Sequence, residues 1–197
     1  MLQSNHLFKL LSAVIILFCV YAFSAGVDNP EVSPAVALRK KLKEIYTSQI
    51  GVRELTGRND GARVETYLRY VGLVKGSPWC ASFVCWSLGQ AGISNPRSGW
   101  SPDLLPDSKL VWTRSRGLIK KGLEPRAGDV FGIWFPEKGR VGHVGFVDEW
   151  SDKYLISVEG NTNAAGGSKG EGDGVFRKRR LISSIYKVAD YVGGKGE

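Results

Sequence analysis

The chain has 197 residues, 43% of them hydrophobic, with six Trp and a formal charge of +8. That length holds one ordinary domain with a real core, and the composition excludes a disordered or low-complexity protein. A pI of about 9.5 suits an anionic partner, such as nucleic acid, a membrane surface or an acidic wall polymer, with a merely solvated basic surface as the equal alternative.

Residues 1–24 read as an export signal. A single cation, Lys9, precedes an apolar run from Leu10 to Phe23, and Ala22 and Ser24 give the small-x-small pattern for cleavage before Ala25. Cys19 follows Phe18 inside the run, without the small residues that a lipoprotein signal places before its cysteine. The run is short for a ~30 Å hydrocarbon core, so cleavage is preferred to an anchor. Residues 25–197 are then the mature domain, periplasmic or secreted. Contact with a membrane is expected only if the N-terminal segment stays uncleaved.

Helices are expected first. Ser33-Pro34 is an N-cap and first-turn proline, followed by Ala37, Leu38, Leu42 and Ile45 at helical spacing. TGRND (56–60) reads as a loop, and a second helix is expected from about Gly61 to Tyr70. The stretch SPWCASFVCW (77–86) opens a third, with Pro78 suited to its first turn and Gly89 and Gly92 ending it. ISNPRSGWSPDLLPDS (93–108) reads as a long loop, with a short helix expected around Lys109–Ser115. After PRAGD (125–129), the runs VFGIWF, VGHVGFVDEW, YLISVEG, VFRKRR and IYKVADYV read as strands, with a loop at NTNAAGGSKGEGDG (161–174). Helices followed by an antiparallel sheet make the class α+β.

The chemistry narrows once the signal is removed, because Cys80, Cys85 and His143 are then the only cysteines and histidine left. A Cys80–Cys85 disulfide is poor geometry: five helical residues turn the side chains about 140° apart. One His and two Cys in this arrangement also lack zinc-ligand spacings. Cys80 falls in the first helical turn, where free N–H groups and the helix dipole stabilise a thiolate. Cys85 falls well inside and reads as buried. His143 sits in RVGHVGFV between Gly142 and Gly145, where glycine suggests close backbone approach. A helix-start cysteine and a histidine on a neighbouring strand is the papain-like way to assemble a thiolate–imidazolium pair. Glu159, the carboxylate in the otherwise apolar YLISVEG run, is the expected third group. Asn161 would share its face if the strand continued.

Taken together, PWCASFVCW, PRAGDVFGIW, GRVGHVGFVDEW and SVEGNTN resemble the CHAP family of cysteine, histidine-dependent amidohydrolases and peptidases, relatives of the NlpC/P60 peptidoglycan hydrolases. The resemblance implies a papain-like fold and cleavage of a peptidoglycan amide bond, by an endopeptidase or an N-acetylmuramoyl-L-alanine amidase. It implies Cys80 as nucleophile, His143 as base, and Glu159 with Asn161 as the accompanying pair. Asp129 falls in the family's structural GD turn. Asn59 and Asp60 fall in its leading segment as loop-forming or cleft-lining residues, and Trp79 either walls the cleft or packs. The expected partner is peptidoglycan rather than nucleic acid. No cofactor is expected, and GEGDG (170–174) is too sparse in carboxylates to imply a calcium site. A non-catalytic wall-binding module and a thiol acyltransferase are the competing readings.

Overall fold

The structure is a computed structural model that describes residues 33–119, 122–164 and 172–193. The expected signal and its cleavage site lie outside the described residues, as do residues 165–171, which include the first two residues of GEGDG. Among the described residues no helix is long and apolar enough to cross a membrane.

Three helices come first: α1 (Pro34–Thr47), α2 (Ala62–Tyr70) and α3 (Cys80–Ala91). α1 buries Leu42 and Tyr46, and α2 buries Val64, Tyr67 and Leu68. α3 is buried on every side, as its run of Ala, Phe, Val, Cys, Trp and Leu requires. Its start differs from expectation: Pro78 precedes the helix, Trp79 is the N-cap and Cys80 is the first helical residue. Its end is set by Gly92 alone, at φ 87°, whose N–H bonds to the carbonyl of Gly89. Gly89 stays helical because a β-carbon there would lie 2.1 Å from the Tyr70 hydroxyl.

Seven strands follow: β1 (Leu110–Thr113), β2 (Gly117–Leu118), β3 (Val130–Phe135), β4 (Arg140–Trp150), β5 (Tyr154–Thr162), β6 (Gly174–Leu181) and β7 (Lys187–Ala189). They form one antiparallel sheet in the order β2-β1-β7-β3-β4-β5-β6. The class is α+β. The helix expected at 109–115 is instead a 3-10 turn (Asp107–Lys109) leading into β1, because Leu110 to Thr113 alternate in burial with the period of a strand. The closing IYKVADYV segment pairs only over Lys187–Ala189.

The main core lies between helices and sheet, where Leu42, Phe83 and Leu88 meet Val144, Phe146 and Val158. A smaller cluster of Phe131, Val147, Leu155, Ile185 and Val188 sits apart from it. Buried charges tie the layers. Asp148 on β4 accepts the Tyr46 hydroxyl at 3.0 Å and pairs with Lys43 at 2.9 Å and Arg177 at 2.8 Å. Asp129, just before β3, pairs with Arg39 at 2.7 Å and accepts the Arg126 N–H at 2.8 Å. Burial pushes its carboxyl up to about 6 even against the Arg39 charge. A buried carboxylate with such partners is a structural fastening.

One close approach between the start of α3 and the sheet is at Gly160 on β5. A β-carbon there would lie 2.6 Å from the Trp79 ring and 2.9 Å from Phe83. Gly160→Ala should therefore cost about 1–3 kcal/mol as an overpacked site, read as a lower midpoint in urea unfolding. An unchanged midpoint would mean that α3 moves away from β5 at no cost.

Candidate active site

Cys80 opens α3, so its thiol lies where the first-turn N–H groups have no helical partner. The thiol is 7% exposed and lies 3.6 Å from the Ser101 hydroxyl. The His143 ring and the Val144 N–H also act on it. Burial alone would raise its pKa. The His143 bond and charge, aided by Ser101 and Val144, outweigh burial and bring it down to about 7. Cys85 behaves oppositely. Its sulfur faces the Ser98 carbonyl at 3.4 Å, and burial pushes it up to about 11. Both cysteines are free.

His143 lies on β4, cross-strand from Ile133 of β3. Its Nε2 meets Glu159 Oε2 at 2.8 Å, which leaves Nδ1 as the nitrogen for Cys80. Burial would lower the imidazole pKa, but its bonds to Cys80 and Glu159 raise it to about 9. The glycines beside it have the close approach expected of them. A β-carbon on Gly142 would lie 2.4 Å from the Phe135 ring, and one on Gly145 would lie 2.8 Å from Cγ of Glu159. Without the glycine at 145, Glu159 could not lie where it meets the ring.

Glu159 is fully buried on β5, yet its pKa lies far below the usual carboxylate range. Burial opposes this shift; Arg180 and His143 overcome it. Oε1 accepts the Ser157 hydroxyl and Arg180 Nε, and Oε2 accepts Arg180 Nη2 beside the histidine. Arg180, Ser157 and Ser101 were not singled out from the sequence. Arg180 is hidden in the run FRKRR, which reads as a solvated basic edge. Only the register of β6 against β5, with Arg180 opposite Leu155, turns this member of the run toward Glu159.

Asn161 does not lie beside Glu159 as a continued strand would place it. It takes a left-handed φ of 55°, and the β5–β6 register shifts between Glu159 and Thr162. Its side chain joins other elements. Oδ1 accepts the Trp79 N–H at 3.1 Å, and Nδ2 donates to the Gly172 carbonyl at 2.8 Å and to Asn59 Oδ1 at 3.0 Å. Asn161 thus holds the backbone immediately before Cys80.

The three residues expected to contact substrate are placed differently. Trp79 is fully buried, stacks on Tyr67 with ring centroids 5.6 Å apart, and donates Nε1–H to Glu54 at 2.8 Å. It packs; it does not wall the cleft. Asn59 and Asp60 are also buried. Asn59 receives the Asn161 amide, and Asp60 closes the 56–60 loop by accepting the Thr56 N–H at 2.9 Å and its hydroxyl at 2.8 Å. All three make the platform beneath Cys80, and their polar groups are used internally.

The cleft itself opens over Cys80 and His143, with a volume of about 750 Å³. Its walls include Trp100, Ile133, Phe135, Lys138, Arg140 and Lys178. Trp100 is 49% exposed, and the Arg140 guanidinium stacks 3.9 Å from its ring centroid. The exposed aromatic wall is therefore Trp100.

With this geometry in place, comparison with known proteins finds one family, the CHAP domain, matching residues 72–161. Over those residues the chain is similar to a CHAP domain. The match spans the whole of α3 and ends at Asn161, so it contains Cys80, His143 and Glu159 and stops short of Arg180. Solved structures with some likeness include the resuscitation promoting factor interacting protein RipA, at 16% identity and a TM-score of 0.43 over 80% of this chain. They also include Ly7917, at 12% identity and a TM-score of 0.39 over 79% of this chain. The chain spans 63% of the length of each of these. Among curated proteins none matches.

A thiol held at about 7 should be alkylated by iodoacetamide with a rate that rises through a midpoint near that pH, not near the free-thiol value of about 8.5. Peptide mapping should find the label on Cys80 and not on Cys85. In His143→Ala the midpoint should move above the free-thiol value, because burial of the sulfur persists without its counterion. A midpoint indifferent to His143 would break the pair.

Proposed function

We propose that this CHAP-like domain hydrolyses an amide bond of peptidoglycan through a Cys80 thiolate and a thioester intermediate, as an endopeptidase or an N-acetylmuramoyl-L-alanine amidase. The single observation that carries this reading is the grouping of Cys80, His143 and Glu159 under an open cleft, with His143 bonded to Glu159 and acting on the Cys80 thiol. Thiolate and imidazolium coexist between the Cys80 value of about 7 and the His143 value of about 9.

In that state Cys80 Sγ attacks the scissile carbonyl carbon. The carbonyl oxygen gains negative charge at the start of α3, where the Cys80 N–H is available as donor. His143 then gives its Nδ1 proton to the leaving amine as the C–N bond breaks. This leaves a Cys80 thioester and a neutral imidazole. Water, deprotonated by that imidazole, attacks the thioester; the acid product departs and the thiolate–imidazolium pair is restored. Glu159 acts throughout on the far ring nitrogen, fixing the ring and stabilising its charged form.

The cleft supports an anionic substrate. Lys138, Arg140 and Lys178 face it, against the single carboxylate of Glu137 among its described lining. Stem peptides of peptidoglycan carry free carboxylates, so the charge suits them. Export to the periplasm or the medium is the compartment this substrate requires, in keeping with the signal read at residues 1–24.

Incubation with purified peptidoglycan and mass analysis of the fragments tests the reading and names the bond. Cys80→Ser should be folded and inactive. Glu159→Gln should lose on the order of 10²–10⁴-fold, toward the lower end because a thiolate needs less help than a hydroxyl. Asn161→Ala should lose less, with the loss arising from a misplaced Cys80 backbone. A folded wild-type protein that releases no soluble fragments, or a Cys80→Ser variant that still does, would overturn the proposal.

A further inference from the structure

We infer that Arg180 is a fourth member of this site, a positioning residue that locks the Glu159 carboxylate and whose charge sets the pH range of the thiolate–imidazolium pair. The inference rests on the proposed cysteine chemistry, but not on which bond is cut.

The geometry is specific. Arg180 forks onto Glu159, with Nε on one carboxylate oxygen and Nη2 on the other. With Ser157 on Oε1 and His143 on Oε2, the carboxylate has four donors and no freedom to turn. Guanidinium is the side chain whose planar fork fits both oxygens at once. Without such a partner, a carboxylate with no solvent exposure would have only the neighbouring imidazolium to hold it ionised, and its own value would rise. Arg180 also has no other carboxylate partner among the described residues, so nothing divides its charge.

The charged and titratable groups that face Glu159 are few. They are His143 from β4, with Cys80 of α3 behind it, and Arg180 and Lys178 from β6. Lys178 is directed elsewhere, donating to the Thr162 hydroxyl and the Asn163 carbonyl. Arg180 is thus the permanent cation of the cluster, and its removal acts with one sign. Loss of a positive charge makes protonation easier at every neighbour, so the values of Glu159, His143 and Cys80 should all rise. A residue that only pinned β6 to β5 would leave them where they are.

The test reads the thiol and the ring directly, so an error in the assigned substrate leaves it intact. Full-length wild type, Arg180→Met and Arg180→Lys are compared by iodoacetamide alkylation across pH and by NMR titration of the His143 ring. Arg180→Met should move the alkylation midpoint and the ring titration upward together by about one pH unit, the lower end expected for a nearby charge. Arg180→Lys keeps the charge but lacks the fork, so its midpoints should stay near wild type while hydrolysis or the alkylation plateau falls several-fold. Unmoved midpoints in folded Arg180→Met would overturn the inference. Should the methionine variant not fold, the lysine variant decides: midpoints displaced upward, or a plateau equal to wild type, would overturn it equally.

Discussion

The site depends on a carboxylate kept ionised where no water reaches it. Glu159 has no exposed surface, and a lone charge there would be expelled or neutralised. Each of its bonds fixes something else. The bond to His143 sets which ring nitrogen faces the sulfur, Ser157 fixes the carboxylate plane within β5, and Arg180 ties in the outermost strand. Even the backbone is shaped around it, since Gly145 leaves the space that Cγ of Glu159 fills. The depressed thiol of Cys80 is the far end of this arrangement.

A second network, one layer down, fixes the backbone just before Cys80. Glu54 accepts the indole N–H of Trp79 and the N–H of Asn59, while Asn161 grips the Trp79 N–H. Two asparagines, Asn59 and Asn161, sit at positive φ, a conformation that asparagine tolerates better than most residues. This explains how the N-cap of α3 can be a tryptophan, which offers no side-chain oxygen to the first turn. Its indole goes down into the platform, and the open helix end faces the cleft.

Much of this was legible in the sequence. Cys80 could be separated from Cys85 because helix position alone gives one of them free N–H groups. His143 had no competitor in the mature chain, and Glu159 stood out as a charge in an apolar run. What stayed hidden depended on register and rotamer. FRKRR gives no sign that two of its four cations, Lys178 and Arg180, turn toward the site, and Trp79 beside Cys80 looks as much like a cleft wall as Trp100 does. The segment 109–115 mixes charges with Val and Trp, and its strand character comes from pairing with β7, which lies far along the chain. Asn161 was misplaced on the strand because a single left-handed residue breaks the period-two alternation.

The division of the site between the two halves of the chain bears on how the activity arises during folding. The helical half brings the sulfur, and the sheet half brings the imidazole, the carboxylate and the guanidinium. The hydrogen bond from Trp79 to Asn161 spans 82 residues of sequence. Contacts of such separation form only after the intervening chain has lost its freedom. A chain with the helices formed but the sheet incomplete has a Cys80 thiol without its counterion, and a sheet without α3 has a histidine with nothing to activate. The lowered thiol value is therefore a property of the last docking step, and partly folded molecules carry Cys80 only as an ordinary thiol.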